Sequence, residues 1–287
     1  MKPQSLRPAC LAGGSLAPER IPAMSLPVPT KESVVVVTGV SAGIGAELAK
    51  QLAALGHDLV IVARREDRLV ELADDVRVSH GVDVFVHPAD LREREARVGL
   101  LGAIADQGRH VVGLANNAGY GSNGRAWELD PDREEGQVAL NVEALHHLTL
   151  AVVPEMVRRR AGAVLNVASG AAFQPMPGMA TYAATKAFVQ SFSEAIHAEL
   201  AGTGVSVTTL CPGPVDTEFG EVAGFEESSF PGVLKVSAEE VAAQAVRGML
   251  TGKRSVIPGP QNKVLSLAGR YVPRTVLLPA MRRQTLS

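Results

Sequence analysis

From residue 34 onward the chain alternates short, unbroken apolar runs with longer stretches whose apolar positions recur at helical spacing. The runs are VVVV (34–37), DLVIVA (58–63), VDVFVH (82–87), VVGLAN (111–116), AGAVLNVAS (161–169), VSVTTLCP (205–212) and RSVIPG (254–259). Between them stand GAELAKQLAALG, EDRLVELADDVRVS, LREREARVGLLGAIADQ, a long helical region ending near Arg160, ATYAATKAFVQSFSEAIHAELA and SAEEVAAQAVRGML. Strands that are apolar at every position are buried on both faces. Alternation of such strands with helices predicts an α/β fold with a parallel sheet and right-handed crossovers. The expected architecture is a single-domain, Rossmann-like, doubly wound sheet of about seven strands with helices on both faces. Ligands of such sheets bind outside the carboxyl ends of the strands, where the strand order reverses. Ser237 is the expected N-cap of the helix that follows it, with Glu240 completing a capping box.

No change of composition divides residues 31–260, which read as one domain with an extension at each end. Residues 1–30 hold six of the 18 prolines, no aromatic and no periodic apolar pattern, so this extension is expected to be disordered. Met24 stands ten residues before the first apolar run and is a candidate start of translation.

The other extension, 261–287, is basic and apolar. After Glu240 there is no acidic residue but eight basic ones: Arg247, Lys253, Arg254, Lys263, Arg270, Arg274, Arg282 and Arg283. NKVLSLAGRYVPRTVLLPAMRRQ, interrupted by Pro273 and Pro279, reads as two short amphipathic helices. The segment packs on the domain over a substrate entrance or on a neighbouring subunit, rests on an anionic membrane surface, or meets an acidic substrate carrier. Packing is the preferred reading.

Composition narrows the classes. With 46% hydrophobic and 20% charged residues, the chain is a globular protein. A net charge of -2 gives no pull toward polyanions, and 4% aromatics argue against base-stacking platforms, so no nucleic-acid partner is expected. Cys10 and Cys211 make neither a disulfide framework nor a metal knuckle. A reducing, cytoplasmic setting and no metal site follow. No run approaches the length of a membrane span.

The first strand ends in a run of small residues, TGVSAGIG. Gly39, Ser41, Ala42, Gly43, Ile44 and Gly45 would lie between a buried strand and a helix N-terminus, where backbone N–H groups and the helix dipole favour a phosphate. Gly45 would also let the helix pack on the strand. An ordinary glycine-rich turn looks the same in isolation. Tyr182 and Lys186 are four apart and share a helical face. Such a pair, like Ser169 at a strand end or Asn141 on a helix, is unremarkable alone.

Together these elements have a recognisable order. TGVSAGIG, NNAG (116–119), Asn141 in ALNVEAL, Ser169 placed 13 before Tyr182, YAATK, and PGPVDT (212–217) resemble the motifs of the short-chain dehydrogenase/reductase family from about residue 33 to 259. The resemblance implies hydride transfer between a nicotinamide cofactor and a carbonyl or alcohol. The cofactor carries the hydride, and the protein supplies proton and orientation. It assigns Tyr182 as general acid/base, and Lys186 both to the tyrosine and to the nicotinamide ribose. Ser169 would hydrogen-bond the substrate oxygen, and Asn141 would hold a water in the proton relay. An unperturbed tyrosine has a pKa of about 10; the lysine cation is expected to lower it.

Cofactor contacts are implied for the glycine loop, for Asn117, Ala118 and Gly119, and for Pro212, Gly213, Val215 and Thr217. Asp90 resembles the family's adenine-contacting aspartate, or is an N-cap with Glu93. Ala63 stands where NAD-using relatives carry an aspartate, followed by Arg64 and Arg65, which suit a 2′-phosphate. Ser41 adds a hydroxyl. Two arginines opening a helix sit at its positive end, so an anion partner helps explain them. NADP is therefore expected; the absence of a basic residue at Ala42 keeps NAD open.

On the substrate side Phe173, Met176 and Met179 would form an apolar wall, and Phe219, Phe225, Phe230 and Leu234 a mobile cover. An apolar small-molecule carbonyl or alcohol fits them. By analogy with the family, a homodimer or homotetramer is expected. The alternative function is a non-enzymatic NAD(P)-binding sensor on the same fold, which would not need all four of Asn141, Ser169, Tyr182 and Lys186.

Overall fold

The computed structural model describes residues 25–224 and 234–285. The expectations for residues 1–24, with Cys10 and Met24, and for Phe225 and Phe230 lie outside the described residues.

The valine run becomes strand β1 (Ser33–Thr38), and its alternate side chains serve two cores. Val35 and Val37 point into a layer with helices α1 (Gly43–Ala54), α2 (Glu66–His80) and α8 (Ala238–Leu250). Val34 and Val36 point into the opposite layer, against α3 (Arg94–Asp106) and α5 (Leu145–Arg159). Side chains of a strand alternate between faces, so only a strand covered on both sides can be apolar throughout. Each fully buried valine contributes about 1.5–3 kcal/mol.

Six further strands pair in parallel with it: β2 (Leu59–Ala63), β3 (Val84–Pro88), β4 (His110–Asn116), β5 (Gly162–Val167), β6 (Val205–Leu210) and β7 (Ser255–Val256). Their order is β3-β2-β1-β4-β5-β6-β7. The chain winds outward from β1 to β3, then returns to β4 beside β1, with Val37 opposite Ala115. The order reverses between β1 and β4, and a crevice opens at their carboxyl ends.

The remaining helices are α4 (Pro131–Val138), α6 (Ala180–Glu199), α7 (Phe219–Ala223), α9 (Pro260–Tyr271) and α10 (Arg274–Thr285). A π-helical turn, Ala139–Ala144, joins α4 to α5. No helix among the described residues is long and apolar enough to cross a membrane.

Three local expectations need correction. The disorder expected over 1–30 does not extend to residues 25–30: Leu26 is buried in the core, and the Ser25 N–H donates to the Leu250 carbonyl at 3.0 Å. Ser237 caps α8 by accepting the Glu240 N–H at 3.2 Å, but the Glu240 carboxylate accepts from Gln244 Nε2 at 2.8 Å and does not return to the cap. Asp90 is not an N-cap, because α3 starts at Arg94 with Glu93 before it.

Candidate active site

The loop after β1 is held by the loop after β4. Thr38 Oγ1 accepts the N–H groups of Asn117 and Ala118, both at 3.1 Å. Asn117 Nδ2 donates to the carbonyls of Thr38 and Gly39 at 3.1 and 2.9 Å. A Cβ on Gly39 would lie 2.6 Å from Ala118 Cα, and one on Gly43 2.7 Å from Thr217 Cγ2; both glycines have positive φ. A Cβ on Gly45 would collide with the Gly39 carbonyl and the Asn117 amide. The small residues of this loop therefore make room for other parts of the chain as well as for a ligand.

Ala42 precedes α1 without a side-chain cap, and the first turn of that helix carries no acid. Ala42, Gly43 and Ile44 at its start line the crevice, and a helix N-terminus so placed suits a diphosphate. The crevice is a cleft of about 610 Å³. It is lined by Gly39, Ser41, Ala42, Gly43, Ile44, Arg64, Arg65, Asp90, Asn117, Ala118, Gly119, Ser169, Tyr182, Lys186, Pro212, Gly213, Val215 and Thr217. Of the anticipated catalytic and cofactor-contacting residues, Gly45 and Asn141 stand behind its wall.

At one end, Arg65 Nη2 donates to Ser41 Oγ at 3.0 Å and to Glu218 Oε2 at 2.7 Å. Arg65 thus has its anion within the protein, on the segment that leads into α7, which corrects the argument that both arginines need an external one. Arg64 has no ion pair among the described residues; its charge and, more strongly, the Arg92 guanidinium hold Asp90 below the usual carboxylate range. Arg92 grips Asp90 through Nε at 3.0 Å and Nη2 at 2.6 Å. The group that fits this end is an anion beside Arg64 and the Ser41 hydroxyl.

At the other end, α6 carries Tyr182 and Lys186 one turn apart, both buried. Lys186 Nζ donates to the Val167 carbonyl at 2.8 Å and lies 5.7 Å from the Tyr182 ring centre. Burial pushes the Tyr182 phenol up to about 12, against a downward pull from its hydrogen bond with Ser169. Burial also brings Lys186 down to about 8. The expected lowering of the tyrosine by the lysine is absent: burial and the Ser169 hydrogen bond alone set the phenol's shift, and the ammonium is turned onto Val167. The Tyr182 phenol keeps its proton at neutral pH. Cys211 is also buried, and its thiol is pushed up to about 12.

Asn141 sits in the π-helical turn, where an added residue per turn displaces the side chain toward the loop after β4. Its Oδ1 accepts the Tyr120 N–H at 3.1 Å, and its Nδ2 donates to the Tyr120 carbonyl at 3.0 Å and to Thr185 Oγ1 at 3.1 Å. Both amide hydrogens are spent, so a water at Asn141 would bond to oxygen.

Met176, Met179, Phe219, Val222 and Leu234 line the cleft beside Tyr182, whose ring centre is 5.3 Å from that of Phe219. Phe173 does not line it; it packs into a core with Leu145, Val189 and Cys211, and Gln174 takes the place on the wall. The turn Gly170–Phe173, capped by the Ser169 hydroxyl, rotates the phenylalanine inward. Sequence reasoning also missed Asn262, Leu265 and Ser266 of α9, which close the cleft from the carboxyl-terminal side. Their only signal is the i, i+4 spacing of Asn262 and Ser266. Lys235 pairs with Asp216 at 2.6 Å on the same rim.

The family model for short chain dehydrogenase matches residues 33–226. The NADP-dependent 3-hydroxy acid dehydrogenase of Escherichia coli (strain K12) is 32% identical over 216 residues, which are 73% of this chain and 86% of that protein. A short-chain dehydrogenase from Sphingobium yanoikuyae in complex with NADPH superposes with a TM-score of 0.74 at 32% identity, covering 88% of this chain and 94% of that one. A short chain dehydrogenase/reductase from Burkholderia phymatum in complex with NAD gives 0.73 at 25% identity, covering 82% and 92%.

Proposed function

The chain belongs to the short chain dehydrogenase family and is an oxidoreductase of that family, and on that premise we propose that it interconverts a carbonyl and an alcohol with NADP(H), Tyr182 serving as general acid/base. The observation that carries the reading is the convergence of Ser169, Tyr182 and Lys186 at one end of a single cleft whose other end offers Ser41 and Arg64.

The nicotinamide, when bound, supplies or accepts the hydride. The chain's residues handle the proton and the geometry. Tyr182, which holds its proton at neutral pH, donates it from the phenol to the substrate oxygen. Ser169 hydrogen-bonds that same oxygen. Lys186, a cation below about pH 8, stabilises the phenolate left on Tyr182. Asn141 positions the Gly119–Tyr120 backbone and offers an oxygen to a relay water. The helix α1 N-terminus takes the diphosphate. Arg64 and Ser41 take the 2′-phosphate, and Arg65 joins them in so far as it leaves Glu218, so NADP is preferred over NAD. Thr217 and its neighbours Pro212, Gly213 and Val215 cover the nicotinamide end.

Met176, Met179, Phe219 and Val222 favour an apolar substrate. The outward faces of α5 and α6, with Leu150 and Phe188 exposed, serve a homo-oligomer, and the working compartment is the cytoplasm. The test is titration with NADPH and NADH, and turnover of a carbonyl panel, for wild type and Tyr182→Phe. The expected result is NADPH binding in both proteins and a loss of roughly 10²–10⁴-fold in turnover in the variant. Binding of neither nucleotide, or turnover that survives the substitution, overturns the reading.

A further inference from the structure

Helix α9 is built inside out. The stripe it buries is Asn262, Ser266 and Gly269, small or polar residues at i, i+4 and i+7. Asn262 Nδ2 donates to the carbonyls of Pro258 and Leu234 at 2.9 and 3.2 Å, and Gly269 abuts Gln174. The opposite stripe is Val264, Leu267, Ala268 and Tyr271, at i, i+3, i+4 and i+7. Val264 is 66% exposed, Leu267 57% and Tyr271 73%. A helix on a globular domain ordinarily turns its apolar side to the core; this one turns it to solvent. Val276 of α10, 62% exposed, adds to the apolar surface.

The charges carried by the two helices have one sign. Lys263 and Arg270 follow the edge of the apolar stripe on α9, and Arg282 and Arg283 stand on α10. None of the four forms an ion pair with a described residue. The chain has no acid after Glu240 to neutralise them. A second copy docked face to face about a two-fold axis would set these cations against their own equivalents. An anionic lipid surface instead offers apolar depth to the stripe and phosphates to its basic edge.

We propose that the exposed face of α9, with α10, docks on an anionic membrane surface, the helices lying in its plane. Leu265 and Ser266 of the same helix line the catalytic cleft, so docking holds that wall of the cleft beside the lipid.

The experiment is co-sedimentation of the full chain with vesicles of phosphatidylglycerol and phosphatidylcholine, and with phosphatidylcholine alone, at low and high salt. Two double variants accompany it, Leu267→Glu with Tyr271→Glu, and Lys263→Gln with Arg270→Gln. These side chains are exposed and lie outside the cleft, so thermal unfolding like that of the wild type is expected of both. The protein is expected to sediment with the anionic vesicles only, and less at high salt. The acidic double variant is expected to stay in solution, and the glutamine variant to bind roughly fivefold more weakly per cation removed. Failure to bind anionic vesicles, or binding that survives the acidic variant, overturns the proposal. So does a change of oligomeric state in that variant by light scattering, which would give the face to a protein partner.

Discussion

The Lys186 ammonium stands 5.7 Å from the centre of the Tyr182 ring, one helical turn away, and donates its hydrogen bond to the Val167 carbonyl at 2.8 Å. The two groups are buried together and shifted in opposite directions, the phenol up to about 12 and the ammonium down to about 8. Each shift favours the uncharged form, as loss of water demands.

The pH dependence of reduction follows from these shifts. Below about pH 8 Lys186 is a cation and Tyr182 holds its proton. Above it the cation is lost while the phenol stays protonated, so kcat/KM for carbonyl reduction is expected to fall on the alkaline side with that limb. Lys186→Arg, whose guanidinium keeps its charge, is expected to move the limb upward. A profile flat to pH 10 in the wild type would rule out the lysine's part.

Glu218 competes for Arg65. The pair is half exposed on both sides, so it contributes at most about 1 kcal/mol. Glu218→Gln releases the guanidinium and removes a negative charge beside the end of the cleft proposed for the 2′-phosphate. NADPH affinity is expected to rise by up to about fivefold, with NADH affinity unchanged. Weaker NADPH binding in a titration would sink the idea.

Gly45→Ala tests the packing of the glycine loop. The new methyl meets the Gly39 carbonyl and the Asn117 amide, which are bonded to each other, the amide also donating to the Thr38 carbonyl. Overpacking of this kind costs about 1–3 kcal/mol. Chemical denaturation is expected to show that loss, accompanied by weaker nucleotide binding. Unchanged stability would show that the loop can shift freely.

A buried polar network supports the site from beneath. Asn116 Nδ2 donates to Thr149 Oγ1 at 3.0 Å and to Asn166 Oδ1 at 2.9 Å, and Asn166 Nδ2 donates to Ser193 Oγ at 2.9 Å. This joins β4, β5, α5 and α6, the last of which carries Tyr182. Asn166→Ala leaves partners unpaired and is expected to cost about 1–3 kcal/mol. An urea midpoint equal to that of wild type would contradict it.

The sequence by itself determined the sheet, because a strand covered on both faces must be apolar throughout, and the valine run at 34–37 has no other reading. It also determined the loop that precedes α1 and the shared face of Tyr182 and Lys186, since turn chemistry and helical period are local. The tertiary structure decided what depends on distant partners. Glu218 meets Arg65 across 153 positions, and Asn262 is set against Gly213 by the return of the carboxyl-terminal chain. Asn141 gains its contacts from a π-helical turn that no spacing announces. Burial then set the charges: desolvation depends on everything packed around a group, so only the folded chain could turn an expected acidic tyrosine into one that keeps its proton.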